Sequence, residues 1–410
     1  MSKNVLMHAM LLAGMGITTT SFANQPFEVN SPWMLGDQSG KRAELIAKGY
    51  DFSVGYSANA ATLLDTSLSS DKDSDYADQW NFIGQFDLAK ILNWDNTTAF
   101  INVTKRDGNH IENHDNALSP HISQVQEIYG RGQTWRLTDL WIQKGFNDNK
   151  FDLKFGRFGQ SEDFASFDCE FQNLGLCGGQ VGHWSGDQWF NGPMSQWAVR
   201  AKWNVSPEIA VQIGAYEVNF ENLKPSKGFN LSTDGSKGAI IPVELVWKPK
   251  LSPENLNGEY RIGAYYSTAD TVNVQNGDLD ENKHGVWLSA KQQLTAHQSD
   301  SSRGLTIMGQ VAVYDNKTSI FSDAETLAVV YKGLADSRPK DEIGVGISRI
   351  GVESDLVPDL SAEYNAEVYY GIQATNWLKV RPNIQYVKDI GANSDNGSAW
   401  VAGVKFNLNF

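Results

Sequence analysis

Residues 399–410, AWVAGVKFNLNF, place large apolar groups at Trp400, Val404, Phe406, Leu408 and Phe410, with Ala399, Gly403, Lys405, Asn407 and Asn409 between them. A period of two is the signature of a strand with one apolar and one polar face. The same alternation recurs along the chain, while helical periodicity is nearly absent. The segments fall at 50–57, 79–91, 97–107, 134–145, 151–159, 195–205, 208–218, 240–250, 258–268, 285–295, 304–315, 323–333, 342–351, 362–374, 377–388 and 399–410. These are about sixteen strands, an even number near ten residues each, as in a transmembrane barrel.

The connections alternate in length. Short links are NWDN, NDNK, SPE, HQSDSSR and TNW; long ones cover 58–78, 108–133, 160–194, 219–239 and 269–284. This rhythm predicts an all-β fold, a transmembrane antiparallel β-barrel with short periplasmic turns and long extracellular loops. A soluble sandwich would not sort its loops by length so regularly. The terminal alternation then has a reason. In lipid the last strand must pair with the first, because an open edge leaves backbone groups without partners. A C-terminal aromatic strand is also a common mark for the outer-membrane barrel-assembly machinery, which makes that machinery and outer-membrane lipid expected partners.

Segment boundaries follow. Residues 1–23 carry Lys3, an apolar stretch from Val5 to Ile17 and then Ser21-Phe22-Ala23, which reads as a signal peptide cut after Ala23. Residues 24–48 form a periplasmic segment in which GKRAELIAKG reads as one short helix ended by Gly49, and 49–410 form the barrel. Export suits the cysteines. Cys169 and Cys177 stand eight apart in FDCEFQNLGLCGG, and in an oxidising compartment a disulfide is the simple reading. No His or Cys companion has metal-site spacing, so neither metal nor cofactor is expected.

Parity assigns the lumen. With the large apolar groups facing lipid, Asn102, Thr104, Arg106, Arg136, Thr138, Arg200, Lys202, Glu244, Arg261, Glu363, Glu367, Lys379, Arg381, Asn383 and Gln385 face inward. Arginine and glutamate are mixed, so the bore is not a funnel for ions of one sign. Guanidinium groups only donate and carboxylates only accept, and together they match hydroxyl groups. The long link 160–194 carries Trp184 and Trp189, rigid faces on which a sugar ring can stack. The expected substrate-binding set is therefore Arg106, Arg136, Arg200, Arg381, Glu244 and Glu367, with Trp184 or Trp189.

Composition removes other classes. The 410 residues carry a net charge of −14, which argues against a nucleic-acid partner. Mean hydropathy is −0.39, and no long apolar run follows the N-terminal stretch. An enzyme would need a nucleophile with its base or a metal cluster. No G-x-S-x-G elbow occurs. His110, His114 and His121 share one Asn- and Asp-rich loop without a matched ligand set. A barrel enzyme is thus the weaker class, and a channel for small carboxylates or amino acids is the alternative within the barrel class.

The motifs LGDQSGKRAELIAKG, YADQWNF, VQEIYGRGQTWRLTDLW, LKFGRFGQSEDFASFDCEFQNLGLCG, GAYEVN, IPVELVW and GLADSRPKDEIGVGISR resemble the OprB family of carbohydrate-selective porins. The likeness runs from about residue 35 to Phe410, and the cysteine stretch is its most distinctive part. It implies a sixteen-stranded outer-membrane barrel, a constriction of inward-folded loops bearing arginines and acidic residues, and passive diffusion of monosaccharides, typically glucose. The family's Cys-Asp-Phe-Gln reads here Cys169-Glu170-Phe171-Gln172, with a longer carboxylate. Monomer and homotrimer remain open.

Overall fold

A computed structural model describes residues 25–67, 72–114, 116–186, 188–251, 255–297 and 300–410. The expected signal peptide, 1–23, lies outside them. Sixteen long strands make one closed antiparallel sheet. They are β1 (Tyr50–Thr66), β2 (Ser74–Asp87), β3 (Thr97–Gly108), β4 (Trp135–Phe146), β5 (Phe151–Phe158), β6 (Gln196–Asn204), β7 (Ile209–Asn219) and β8 (Ser236–Trp247). The second half comprises β9 (Leu256–Val272), β10 (Leu279–Gln293), β11 (Gly304–Tyr314), β12 (Phe321–Lys332), β13 (Glu342–Val352), β14 (Ala362–Thr375), β15 (Leu378–Lys388) and β16 (Ser398–Asn409). A two-residue strand, Lys250–Leu251, pairs with the start of β9. Each long strand pairs with its neighbours in sequence, and β16 closes on β1 with Tyr56 opposite Leu408 and Ala58 opposite Phe406.

The barrel is inside-out relative to a soluble fold. On β13, Ile343, Val345 and Ile347 are exposed to the lipid side, while Glu342, Gly344, Gly346 and Ser348 are buried inside. On β8, Val243, Leu245 and Trp247 are exposed and Glu244 is buried. The inward assignments of Arg106, Arg136, Arg200, Arg261, Glu363, Glu367, Arg381, Asn383 and Gln385 all coincide with buried side chains. Glycines make room for inner aromatics: Gly344 lies opposite Tyr369, and a Cβ there would strike the phenol ring. Such glycine–aromatic pairs pin register in curved sheets.

Three boundaries differ from expectation. Links 58–78 and 269–284 are not long loops, because β1 runs to Thr66, β2 starts at Ser74, β9 runs to Val272 and β10 starts at Leu279. The missed stretches, Ala58 to Thr62 on β1 and Ser267 to Thr271 on β9, are built of small and polar residues, so side-chain size no longer alternates there and does not mark a strand. The expected strand 79–91 ends at Asp87, whose carboxylate accepts from the Ala89 N–H at 3.1 Å and starts a helix, α2 (Leu88–Leu92). Asn93 in the left-handed region, φ 56°, ends it. A short helix, α1 (Lys41–Ala47), forms within the GKRAELIAKG stretch.

The N-terminal segment clasps the seam. Met34 N–H donates to Asn409 O at 2.8 Å, and the Arg42 guanidinium donates to Phe410 O at 3.1 Å while lying 4.4 Å over the Trp33 ring. Asn376 N–H, in the turn between β14 and β15, donates to Val29 O at 3.0 Å. The charge-assisted hydrogen bond from Arg42 to Phe410 contributes about 1.5 kcal/mol or more. Arg42→Ala is therefore expected to lower the temperature at which the folded barrel converts to the slow-migrating unfolded band on a heat-modifiability gel. An unchanged conversion temperature would show that the seam does not need the clasp.

Candidate functional site

The loop between β5 and β6, residues 159–195, does not extend outward. Its first leg crosses the bore, and its return leg follows the inner wall. Cys169 and Cys177 are joined by a disulfide near its tip. On the return, Thr326 of β12 donates to Gly175 O at 3.0 Å, Tyr314 of β11 to Gln180 O at 2.9 Å, and Gln188 to Thr271 Oγ1 of β9 at 2.7 Å. The loop between β3 and β4, residues 109–134, folds in beside it. Ile111, Leu118 and Val125 pack there on Leu63, Val387 and Val401.

Inward carboxylates hold both loops by their backbone. Glu367 accepts from the N–H of Gln172 at 2.9 Å and of Asn173 at 2.7 Å. Glu244 accepts from Ala165 N–H at 2.8 Å, Gln212 Nε2 at 2.9 Å, Trp287 Nε1 at 2.9 Å and Arg261 at 2.8 Å. Glu363 accepts from the N–H of Ile122 at 2.8 Å, Ser123 at 2.9 Å and Gly391 at 2.9 Å. Hydrogen bonds to an ionised acceptor are the strong ones, and a buried carboxylate needs several. Glu244 and Glu367 are thus occupied as loop anchors.

The other expected residues divide. Arg136 donates to Asn222 O at 3.0 Å and Leu223 O at 3.1 Å, tying the loop 220–235 to the wall. Arg106 donates through Nε to Gln79 Oε1 at 2.7 Å. Trp184 is 5% exposed and edge-on to Phe321. Trp189 is 0% exposed, between Tyr265 at 5.5 Å and Trp287 at 5.6 Å. Both indoles pack the loop against the wall instead of offering the bore the stacking face expected of them. Aromatic residues in an exported loop carry the same letters for either use, so sequence does not separate the two.

Arg200 and Arg381 stand on opposite banks of the crossing. Arg200 pairs with Asp152 and lies 3.4 Å from Asp163 Oδ1. Beside it, Lys154 contacts Glu162 at 2.6 Å and Asp163 at 2.9 Å, with Trp141 and Phe158 rings 4.6 and 4.2 Å from its ammonium. On the far bank Arg381 pairs with Glu170 at the loop tip. Lys379 reaches the same Glu170 oxygen at 3.0 Å and Glu342 at 2.6 Å. Lys405 reaches Glu127 at 3.1 Å and donates to Cys169 O at 2.9 Å. Lys291 pairs with Asp168. Burial opposes ionisation of Glu170, but Arg381 and Lys379 overcome it and hold its carboxyl well below the usual range. The tip acid Asp168 carries no sequence signal, because a loop has no parity to read, and Glu170 carries one only as a departure from the family motif. Lys405 had one, as the polar position between Val404 and Phe406.

The second loop is latched by a buried triad. His121 contacts Glu112 at 3.1 Å and Glu363 at 3.2 Å, and Glu112 also accepts from Val125 N–H at 2.7 Å. Burial pushes the imidazole down, yet the two carboxylates raise it to about 10. Burial pushes Glu112 up, yet His110 and His121 lower it to about 2. The His121 contribution is complete below its ordinary 6.5 and lost as pH rises through about 10. That of Glu112 is complete above its ordinary 4.5 and lost as pH falls through about 2. Amide-exchange protection of residues 121–127 should therefore be level from about pH 4.5 to 6.5 and fall progressively on either side, as His121 loses its contribution above that window and Glu112 below it. Protection that stays constant from about pH 7 to 10 would contradict the latch.

Residues 71–410 match the family described as "Carbohydrate-selective porin, OprB family". The chain is 46% identical to Porin B of Pseudomonas aeruginosa, covering 97% of this chain and 96% of that one. It is 41% identical to the putative porin QuiX of Acinetobacter baylyi, covering 95% and 96%. The high-pH structure of Pseudomonas putida OprB superposes with a TM-score of 0.90 at 43% identity, covering 94% of this chain and 100% of that one. A closed barrel with an inward-folded constriction, a lipid-facing apolar exterior and these relatives lead to one statement: the chain belongs to the OprB family of carbohydrate-selective porins of the Gram-negative outer membrane.

Proposed function

We propose that the solutes passing this constriction are uncharged monosaccharides, glucose among them, moving down their gradient without a cofactor. The observation that carries this reading is the charge pairing on both banks. Arg381 and Lys379 meet Glu170 and Glu342, Lys291 meets Asp168, and Arg200 and Lys154 meet Asp152, Glu162 and Asp163. A bore lined by paired donors and acceptors offers hydroxyl groups both roles while presenting little net charge to an ion. Transit requires weak binding, so millimolar affinity, on the order of −4 kcal/mol, is the appropriate scale.

The test is liposome swelling with the purified barrel, using glucose, succinate and arginine at equal osmolarity. Glucose should enter fastest. Succinate or arginine entering fastest would overturn the reading in favour of a carboxylate or amino-acid channel.

Two substitutions separate lining from anchoring. Arg381→Ala removes charged donors from the bore, and each such hydrogen bond is worth roughly 1.5–3 kcal/mol, or about tenfold or more in sugar affinity. Sugar block of the current should weaken accordingly. Glu367→Ala frees the Gln172 and Asn173 amides, so it should raise conductance and current noise by loosening the loop. If both variants merely scale conductance with charge and leave sugar block untouched, Arg381 is structural.

A further inference from the structure

At the crossing, the loop tip and the far bank form one charge cluster. Glu170 reaches Arg381 and Lys379, both of which also face Glu342, while Lys405 is bound to Glu127 and to the Cys169 carbonyl. Lys379, Arg381 and Lys405 carry three positive charges against three negative ones on Glu170, Glu342 and Glu127. Exposure within the cluster is uneven. The Glu170 side chain is 35% exposed, against 16% for Lys379, 6% for Arg381 and 9% for Glu342. Lys379 and Arg381 both contact its Oε2. Within this cluster the most exposed group is therefore a carboxylate, with Lys379 and Arg381 behind it, while Lys291, 44% exposed and paired with Asp168, stands beside it.

Position strengthens this. Lys379, Arg381, Glu342 and Lys405 all lie near the turn end of their strands. The disulfide closes the eight-residue step from Cys169 to Cys177, and Lys405 grips the carbonyls of Cys169 and Phe171 on either side of Glu170. The carboxylate is thereby held at a fixed height in the bore.

We infer that Glu170 is a selectivity-determining residue: its carboxylate cancels the Lys379–Arg381 pair and excludes organic anions, so that the periplasmic side of the constriction passes neutral polyols. Without that charge the cluster holds three cations against two anions, and the exposed surface becomes that of Lys379 and Arg381. The site then suits hydroxy acids, which carry both the hydroxyl groups and the carboxylate that such a surface recognises. The inference rests on the proposed passage of uncharged sugars.

The experiment is planar-bilayer recording of the full-length exported chain and its Glu170→Gln and Glu170→Asp variants. Reversal potential is read in a KCl gradient, and block by gluconate is read beside block by glucose. A unit charge about 8 Å from a passing ion in water changes its partitioning by about twofold, in opposite senses for anion and cation. Glu170→Gln should move the chloride-to-potassium permeability ratio upward by about fourfold and let gluconate block, while Glu170→Asp keeps the original ratio. An unchanged ratio in Glu170→Gln, with glucose still blocking, overturns the inference and leaves the sugar reading standing. Absence of glucose block in the unaltered protein overturns the sugar reading itself, whatever the ratio does.

Discussion

Lipid offers the backbone no hydrogen-bond partner, and every other feature of this chain follows from that constraint. It forces the sheet to close, so β16 must find β1, and the register Tyr56–Leu408 fixes where. Closure forces half of all strand side chains inward, into a space too wide for strand residues alone to fill. That space is filled by loops, and loops bring their own unpaired amides. The inward glutamates meet this second demand. Glu244, Glu363 and Glu367 take backbone N–H groups of the loops as a helix or sheet partner would elsewhere.

The interior is consequently built in two layers of different chemistry. Towards the outer end, apolar loop residues such as Ile111, Leu118 and Val125 pack on the wall like a small soluble core. At the crossing, charged groups pair across the bore. A buried ion pair stabilises only when its geometry and remaining hydrogen bonds are good, because desolvation costs several kcal/mol per ion. Arg200, Asp152, Lys154 and Arg381 are buried, but the carboxylates Glu162 and Glu170 that face them are part-exposed, and water in a channel lowers the cost at those two. Their arrangement therefore reads as a solute-contact surface more than as a source of fold stability.

Legibility in the sequence tracked periodicity. Strand parity was readable wherever one face met lipid: Trp203 exposed beside buried Arg200, Ile384 exposed beside buried Gln385 and Asn383. It failed where small and polar residues sit on both faces, as from Ala58 to Thr62 in the middle of β1. It also stopped at the loops. Glu367 was legible as inward, but that it holds Gln172 and Asn173 depends on a loop path with no repeating pattern. Trp184 and Trp189 looked like stacking faces because a loop sequence does not state which way it folds. Glu170 stood out only as a departure from a motif, and its meaning comes from two side chains of one strand more than two hundred residues away.

The anchors recognise main chain, not side chains. Glu244 holds Ala165, and Glu367 holds Gln172 and Asn173, by amides that every residue but proline possesses. The path of the loop is thus decoupled from the identity of the residues along it. Substitutions at the tip can retune what the bore accepts without moving the chain that carries them. A lineage of such barrels can drift between solutes by single codon changes, each tried on an already folded scaffold, so that new specificities arise without passing through a collapsed or unassembled intermediate form.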